Sequence, residues 1–220
     1  MQVFINYGPH DNRKLLLEYG FILPHNLHNT VAFSEDLIYS VVLPDIFGIS
    51  RKKREIIAVN ELHKDLCCSE GSGLSWNLLV LLRVLAMKED HFKRHWQRVL
   101  TGEFLGEDVE NRVSQWRQNL IERVLISYEL DEKNIAKFLS SDIQRSENAK
   151  LALSLRNQEK HILQNALDLL KISWWKSMES RKGQPLKILY SDFYSETVLD
   201  IVQDNNDAQF LYTSLLFDVF

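Results

Sequence analysis

The chain has little cysteine, little proline and no excess of positive charge, and each shortage excludes something. Its only two cysteines, Cys67 and Cys68, are adjacent. Neighbours on a strand or helix rarely bring their sulfurs together, so a disulfide scaffold is excluded. Lacking separated spacing and histidine partners, the pair is no zinc site either. Both are expected to be small, half-buried hydrophobes in a reducing compartment. Acidic residues outnumber basic ones, 30 to 26, for a formal net charge of −4. That argues against broad nucleic-acid binding, which needs a basic surface to release counterions from phosphates. The most apolar stretch, Leu78 to Met87, is too short to span a bilayer and contains Arg83. Met1 precedes a strand-like run without a basic n-region, so no signal peptide is expected. The expectation is a soluble protein of the cytoplasm and nucleus, with no direct nucleic-acid or membrane partner.

What is present changes character along the chain. Val3 to Asn6, Thr30 to Phe33 and Leu37 to Leu43 read as strands, the last two joined by an acidic turn at Ser34-Glu35-Asp36. Between the first and second of these, Asp11 suits the N-cap of a brief helix with Leu15 to Leu17 on its buried side, closed by Gly20. The four prolines fall at 9, 24, 44 and 185, and the long interval after Pro44 reads as helical throughout. Ser50 caps a helix from Arg51 to about Leu66, with Ile56, Ile57, Val59 and Leu62 inward. Its first turn, Arg51-Lys52-Lys53-Arg54, is read as a solvated face. Glu70 to Gly73 is a loop. Ser75 to Met87 is apolar nearly all round and should sit centrally. His91 to Leu100 forms a short helix. Val109, Val113, Trp116, Leu120, Val124 and Tyr128 recur at three or four residues and mark one long amphipathic helix to about Leu130. A short helix near Asn134 to Leu139 and a long one from about Asn148 to Trp175 follow, the latter carrying Leu151, Leu155, Ile162, Ala166, Leu169 and Leu170. Arg181 to Pro185 is a breaker before two apolar segments, Leu186 to Val202 and Phe210 to Phe220.

Few constellations suggest chemistry. His25 and His28 stand three apart without a carboxylate or a helix, which is a poor metal site. Tyr7, at a strand end before Gly8, reads from its position alone as a half-buried tyrosine with a satisfied hydroxyl. The motif string is more specific. Phe4-Ile5-Asn6-Tyr7-Gly8, then Asn12, then Leu15-Leu16-Leu17-Glu18-Tyr19-Gly20-Phe21, resembles the C-terminal end of the SET domain in the Rubisco large-subunit methyltransferase branch. The helical remainder, whose central helix opens on Trp76-Asn77-Leu78-Leu79, is similar to that branch's substrate-binding domain.

The resemblance implies an α+β chain. Residues 1–45 would be the C-terminal part of a SET β-fold, 46–182 a helical substrate-binding domain and 183–220 a C-terminal helical segment. It implies protein-lysine N-methylation from S-adenosylmethionine (one relative methylates histidine), on a protein substrate such as a histone. Tyr7 would be the catalytic tyrosine beside the departing methyl group, and Tyr19 the second aromatic of the lysine channel. Asp11, Asn12 and Arg13 would form the turn beside the cofactor, with Phe21 near its adenine. Methyl transfer depends on placing two reactants in a dry channel, and a neutral phenol offers a hydrogen bond there without adding charge. Two features of the branch are missing from these residues: a glycine-bearing segment that opens the SET domain and an Asn-His motif before the tyrosine strand. The expectation is therefore a truncated product, a short isoform or an incomplete gene model, inactive alone. The alternative is a non-catalytic helical module that binds a protein partner.

Overall fold

Among the described residues eleven elements follow one another, and the last of them, a long helix, ties the first to the rest. The computed structural model describes the backbone of residues 7–46, 48–138 and 143–180, and the side chains of residues 7–46, 48–135 and 147–171. The expected strand at Val3–Asn6 and the readings placed on residues 181–220 lie outside these. Helix α1 (Asn12–Tyr19) precedes strand β1 (Thr30–Ala32), helix α2 (Glu35–Val42), a 3-10 turn (Leu43–Asp45) and helix α3 (Arg51–Val59). Strands β2 (Cys67–Ser69) and β3 (Gly73–Leu74) lead into α4 (Trp76–Ala86), α5 (Glu89–Leu100), α6 (Glu107–Phe138) and α7 (Ile143–Ser180). Helices dominate and a small antiparallel sheet accompanies them, so the class is α+β, as expected.

Several expected elements differ, each for a local reason. Leu37–Leu43 is helical. The Ser34 hydroxyl accepts from the Leu37 amide at 3.3 Å, and Glu35 and Asp36 lie in the first turn, where negative charge meets the positive helix end. Ile38, Val41 and Val42 are buried at helical spacing, which strand alternation would not produce. Helix α3 stops at Val59. Beyond it, Glu61 and Asp65 take left-handed backbone angles, φ 50° and 52°, which no helix continues through. Leu62 and Leu66 still reach the core, whereas Val59 is exposed. The stretch after Pro44 is not all helix. Cys67–Ser69 pairs with β1 (Val31 opposite Cys68) and turns through Gly71 into β3. Alternation along β2 buries Cys68 more deeply than Cys67. Burial pushes the Cys68 thiol up to about 12 and raises that of Cys67, so both are free and protonated at neutral pH.

The core gathers around α4, whose Leu78 and Val80 to Ala86 are buried, Arg83 included. Trp76 instead lies in the first turn and is exposed. The α6 stripe is buried as its periodicity implies, and the separate helix expected near Asn134 is the continuation of α6. Helix α7 begins at Ile143. It buries Leu155, Ile162, Leu163, Ala166 and Leu170, while Leu169 faces solvent. It packs against α6, α1 and all three strands.

The basic run of α3 is not uniformly solvated. Arg51, Lys52 and Arg54 are exposed, but Lys53 is buried on the face of Ile57, one helical turn away. Its ammonium donates to the carbonyls of Leu85 and Met87 at the end of α4 and lies 5.6 Å from the Phe92 ring centre. A cation there satisfies carbonyls that the helix leaves open. Burial lowers the Lys53 pKa, Glu89 opposing and Arg112 assisting. Between that lowered value and the ordinary 10.5, the unfolded chain binds more protons than the folded one, so Lys53 makes stability rise with pH across that window. Lys53→Met should lose this rise and cost about 1–3 kcal/mol at neutral pH through the orphaned carbonyls. Urea unfolding of both proteins at pH 7 and pH 10 measures the two effects.

Candidate functional site

The site is built on α1 and its two flanking Tyr-Gly pairs. Gly8 takes φ 86°, a left-handed angle that turns the chain directly after Tyr7. Asp11 then caps the helix, its carboxylate accepting from the Lys14 amide at 2.7 Å. At the other end Gly20, φ 77°, donates its N–H to the Leu16 carbonyl at 3.1 Å and stops the helix after Tyr19. Contrary to the expected Leu15–Leu17 face, the helix buries Asn12 and Leu15, and Leu17 is 79% exposed.

This geometry brings Tyr7 together with Tyr19 and Phe21, which lie twelve and fourteen residues further along the chain. The Tyr7 ring lies 4.8 Å from that of Tyr19 and 5.4 Å from that of Phe21, edge to face in both cases. Such pairs are the favourable arrangement of aromatic quadrupoles. Tyr7 and Tyr19 nevertheless remain 44% and 45% exposed, so the cluster presents an open aromatic wall.

The polar residues of the turn are differently placed. Asn12 is completely buried. Its amide nitrogen donates to the Leu23 carbonyl at 2.8 Å and to Gln158 Oε1 at 2.6 Å. Its oxygen accepts from the Leu23 amide at 3.1 Å and from Asn26 Nδ2 at 3.0 Å. These four bonds use the whole capacity of the side chain. Its backbone N–H goes to Asn29 Oδ1 at 3.1 Å. Asn26 also donates to the His10 carbonyl, and Thr30 donates to the second oxygen of Asp11 at 3.4 Å. Arg13 reaches Glu159 at 3.1 Å.

Thus Tyr7, Tyr19 and Phe21 converge on one face, whereas Asp11, Asn12 and Arg13 serve contacts within the chain. Sequence reasoning missed Asn26, Asn29, Gln158 and Glu159. Glu159 carried a signal, because it interrupts the apolar stripe of α7 between Leu155 and Ile162. Around His25 and His28, as elsewhere among the described residues, no group of three or more His, Cys, Asp or Glu is placed to hold a metal. No described helix is long and apolar enough to cross a membrane.

Comparison with known proteins adds a family. Residues 49–163 match the family model for the Rubisco LSMT substrate-binding domain. SET domain-containing protein 4 of Mus musculus is 30% identical over 169 residues, covering 77% of this chain and 38% of the relative. The protein of that name from Homo sapiens is 30% identical over 178 residues (81% and 36%), and that from Artemia parthenogenetica 31% over 176 (79% and 40%). The chain thus spans about two-fifths of the length of these relatives. By the match of its helical region and by these relatives, the chain belongs to the SET-domain family that carries the Rubisco LSMT substrate-binding domain.

Proposed function

We propose that these residues supply the closing segment of a SET active site, together with the helical domain that binds its protein substrate. The reaction is S-adenosylmethionine-dependent N-methylation of a protein lysine, in the cytoplasm and nucleus. The observation that carries this reading is the convergence of Tyr7, Tyr19 and Phe21 on one open face. A lysine side chain needs aromatic walls to hold its alkyl stem, and a phenol hydroxyl to orient the amine. Tyr7 takes the catalytic role and Tyr19 the second wall.

The residues fit S-adenosylmethionine only in part. The cofactor supplies an electrophilic methyl group on a sulfonium. Phe21, beside Tyr7, would pack against its adenine ring. The polar end of the ligand would need free donors and acceptors, and Asn12 has none. Asp11 is engaged in capping and Arg13 in an ion pair. Asp11, Asn12 and Arg13 therefore shape the turn, and the polar contacts to the cofactor must come from other SET segments. On this reading the 220 residues do not transfer methyl groups by themselves.

The family match over 49–163, which excludes Tyr7, favours a second reading for the isolated chain. The helical domain would bind a protein partner without catalysis. Calorimetric titration of the isolated 220 residues with S-adenosylmethionine should show no saturable heat. Capture of a protein substrate should be unchanged by Tyr7→Phe. Saturable cofactor binding with methylation of a protein would contradict the proposed incompetence.

A further inference from the structure

Two neighbouring residues on α7 hold two neighbouring residues on α1. Gln158 Oε1 accepts from Asn12 Nδ2 at 2.6 Å and from Asn29 Nδ2 at 3.5 Å. Glu159, with no exposed surface, accepts from Arg13 through one carboxylate oxygen at 3.1 Å and from Arg156 through the other. It also hydrogen-bonds the Tyr128 side chain of α6. Arg156 lies 4.3 Å above the Tyr128 ring and pairs with Asp131 at 3.2 Å.

A buried carboxylate is costly to desolvate, and replacing such networks by apolar residues is often neutral or stabilising. Bulk stability is therefore a weak reason for Glu159, whereas fixing one arrangement among several is the better-attested use of a buried polar group. Here the arrangement is specific. The α1 contacts to Gln158 and Glu159 both span 146 residues of sequence. One contact would leave α1 free to swivel, but two side by side fix its rotation as well as its place. Tyr19 and Phe21 leave the far end of that same helix, and Asn12 fixes Leu23 just beyond them.

We infer that Gln158 and Glu159 are positioning residues, a two-point latch by which the helical domain sets where α1 holds the aromatic cluster. Both act through Asn12, Arg13 and Asn29. The chemistry that the cluster serves rests on the methyltransferase reading, but the latch itself does not.

The test separates the two. Arg13 is half-exposed, and Glu159 keeps Arg156 and Tyr128 when Arg13 is truncated, so Arg13→Ala is compatible with a folded helical domain. In the 220-residue chain, Arg13→Ala and Gln158→Ala are each expected to speed hydrogen exchange at the Asn12 and Leu23 amides at least tenfold. Exchange at the α4 amides should stay unchanged, and Arg13→Lys should largely restore protection. In a polypeptide joining these residues to a complete SET core, Arg13→Ala should lower kcat about tenfold with KM for the protein substrate unchanged, Arg13→Lys again restoring it. Unchanged exchange at Asn12 and Leu23 in both alanine variants would overturn the latch. So would a loss of protection spread equally over α4. If the unsubstituted joined enzyme transfers no methyl group, the methyltransferase reading fails, and the exchange result still decides the latch.

Discussion

Trp116→Ala is expected to destabilise the helical domain more than any other single truncation considered, by about 3–5 kcal/mol. Among the described residues Trp116 is the largest completely buried side chain, at the centre of the α6 stripe. Its removal leaves a cavity that the packed neighbours fill only in part, and lining atoms lose their dispersion partners. A second loss adds to the first. The indole N–H donates to Asp45 at 2.6 Å, so truncation also leaves that carboxylate without its donor and loosens the 3-10 turn after α2 from α6. Trp116→Phe separates the contributions. It preserves most of the volume and removes the hydrogen bond, which should cost about 1–2 kcal/mol. Domains of this kind have about 5–15 kcal/mol of stability in total, so the alanine variant should unfold at a much lower urea concentration, with its slope little changed. A midpoint shift no larger than that of Trp116→Phe would show that the α6 stripe does not organise the core.

That stripe was fully legible in the sequence. Six apolar residues at three- and four-residue spacing admit no other regular structure, and Trp116 was among them. The caps Asp11, Ser50 and Gly20 were legible for a similar reason, since short polar side chains and glycine at helix ends do local work. What the sequence concealed was tertiary. Leu37 to Leu43 is β-branched and apolar enough to pass for a strand, and only the serine-capped first turn at Ser34-Glu35-Asp36 argues otherwise. The β2–β3 hairpin holds two residue pairs, Cys68 with Leu74 and Ser69 with Gly73, too short for alternation to register, and exists because β1 offers it an edge. Lys53 resembles its charged neighbours in sequence and differs from them only in facing the end of α4. The site divides in the same way. Tyr7, Tyr19 and Phe21 were legible as a motif, and the structure adds their meeting on one face. The partners of Asn12 and Arg13 on α7, Gln158 and Glu159, lie 146 residues away, and no local pattern reaches that far.

The substitution expected to have the largest effect on activity is Tyr7→Phe. It removes one hydroxyl and keeps the ring, so the edge-to-face contacts with Tyr19 and Phe21 survive. The aromatic wall remains, and substrate binding should change little. On the proposed reading, what disappears is the hydrogen bond that orients the incoming amine. An in-line transfer tolerates little error in approach, and loss of one preorganised donor costs about 10²–10³-fold in turnover. On that reading the loss should fall on kcat, because the binding is assigned to the helical domain and not to Tyr7. Tyr19→Phe, altering the wall rather than the orienting donor, should cost less.

The most direct measurement is transfer of an isotopically labelled methyl group to protein lysine by a polypeptide joining these residues to a complete SET core, with and without Tyr7→Phe. The expected result is transfer by the unsubstituted protein and a fall of at least about 100-fold in the variant, with thermal unfolding and substrate capture unchanged. Equal transfer by the two proteins would contradict the assignment of Tyr7, and with it the claim that the opening segment of this chain closes a methyltransferase active site.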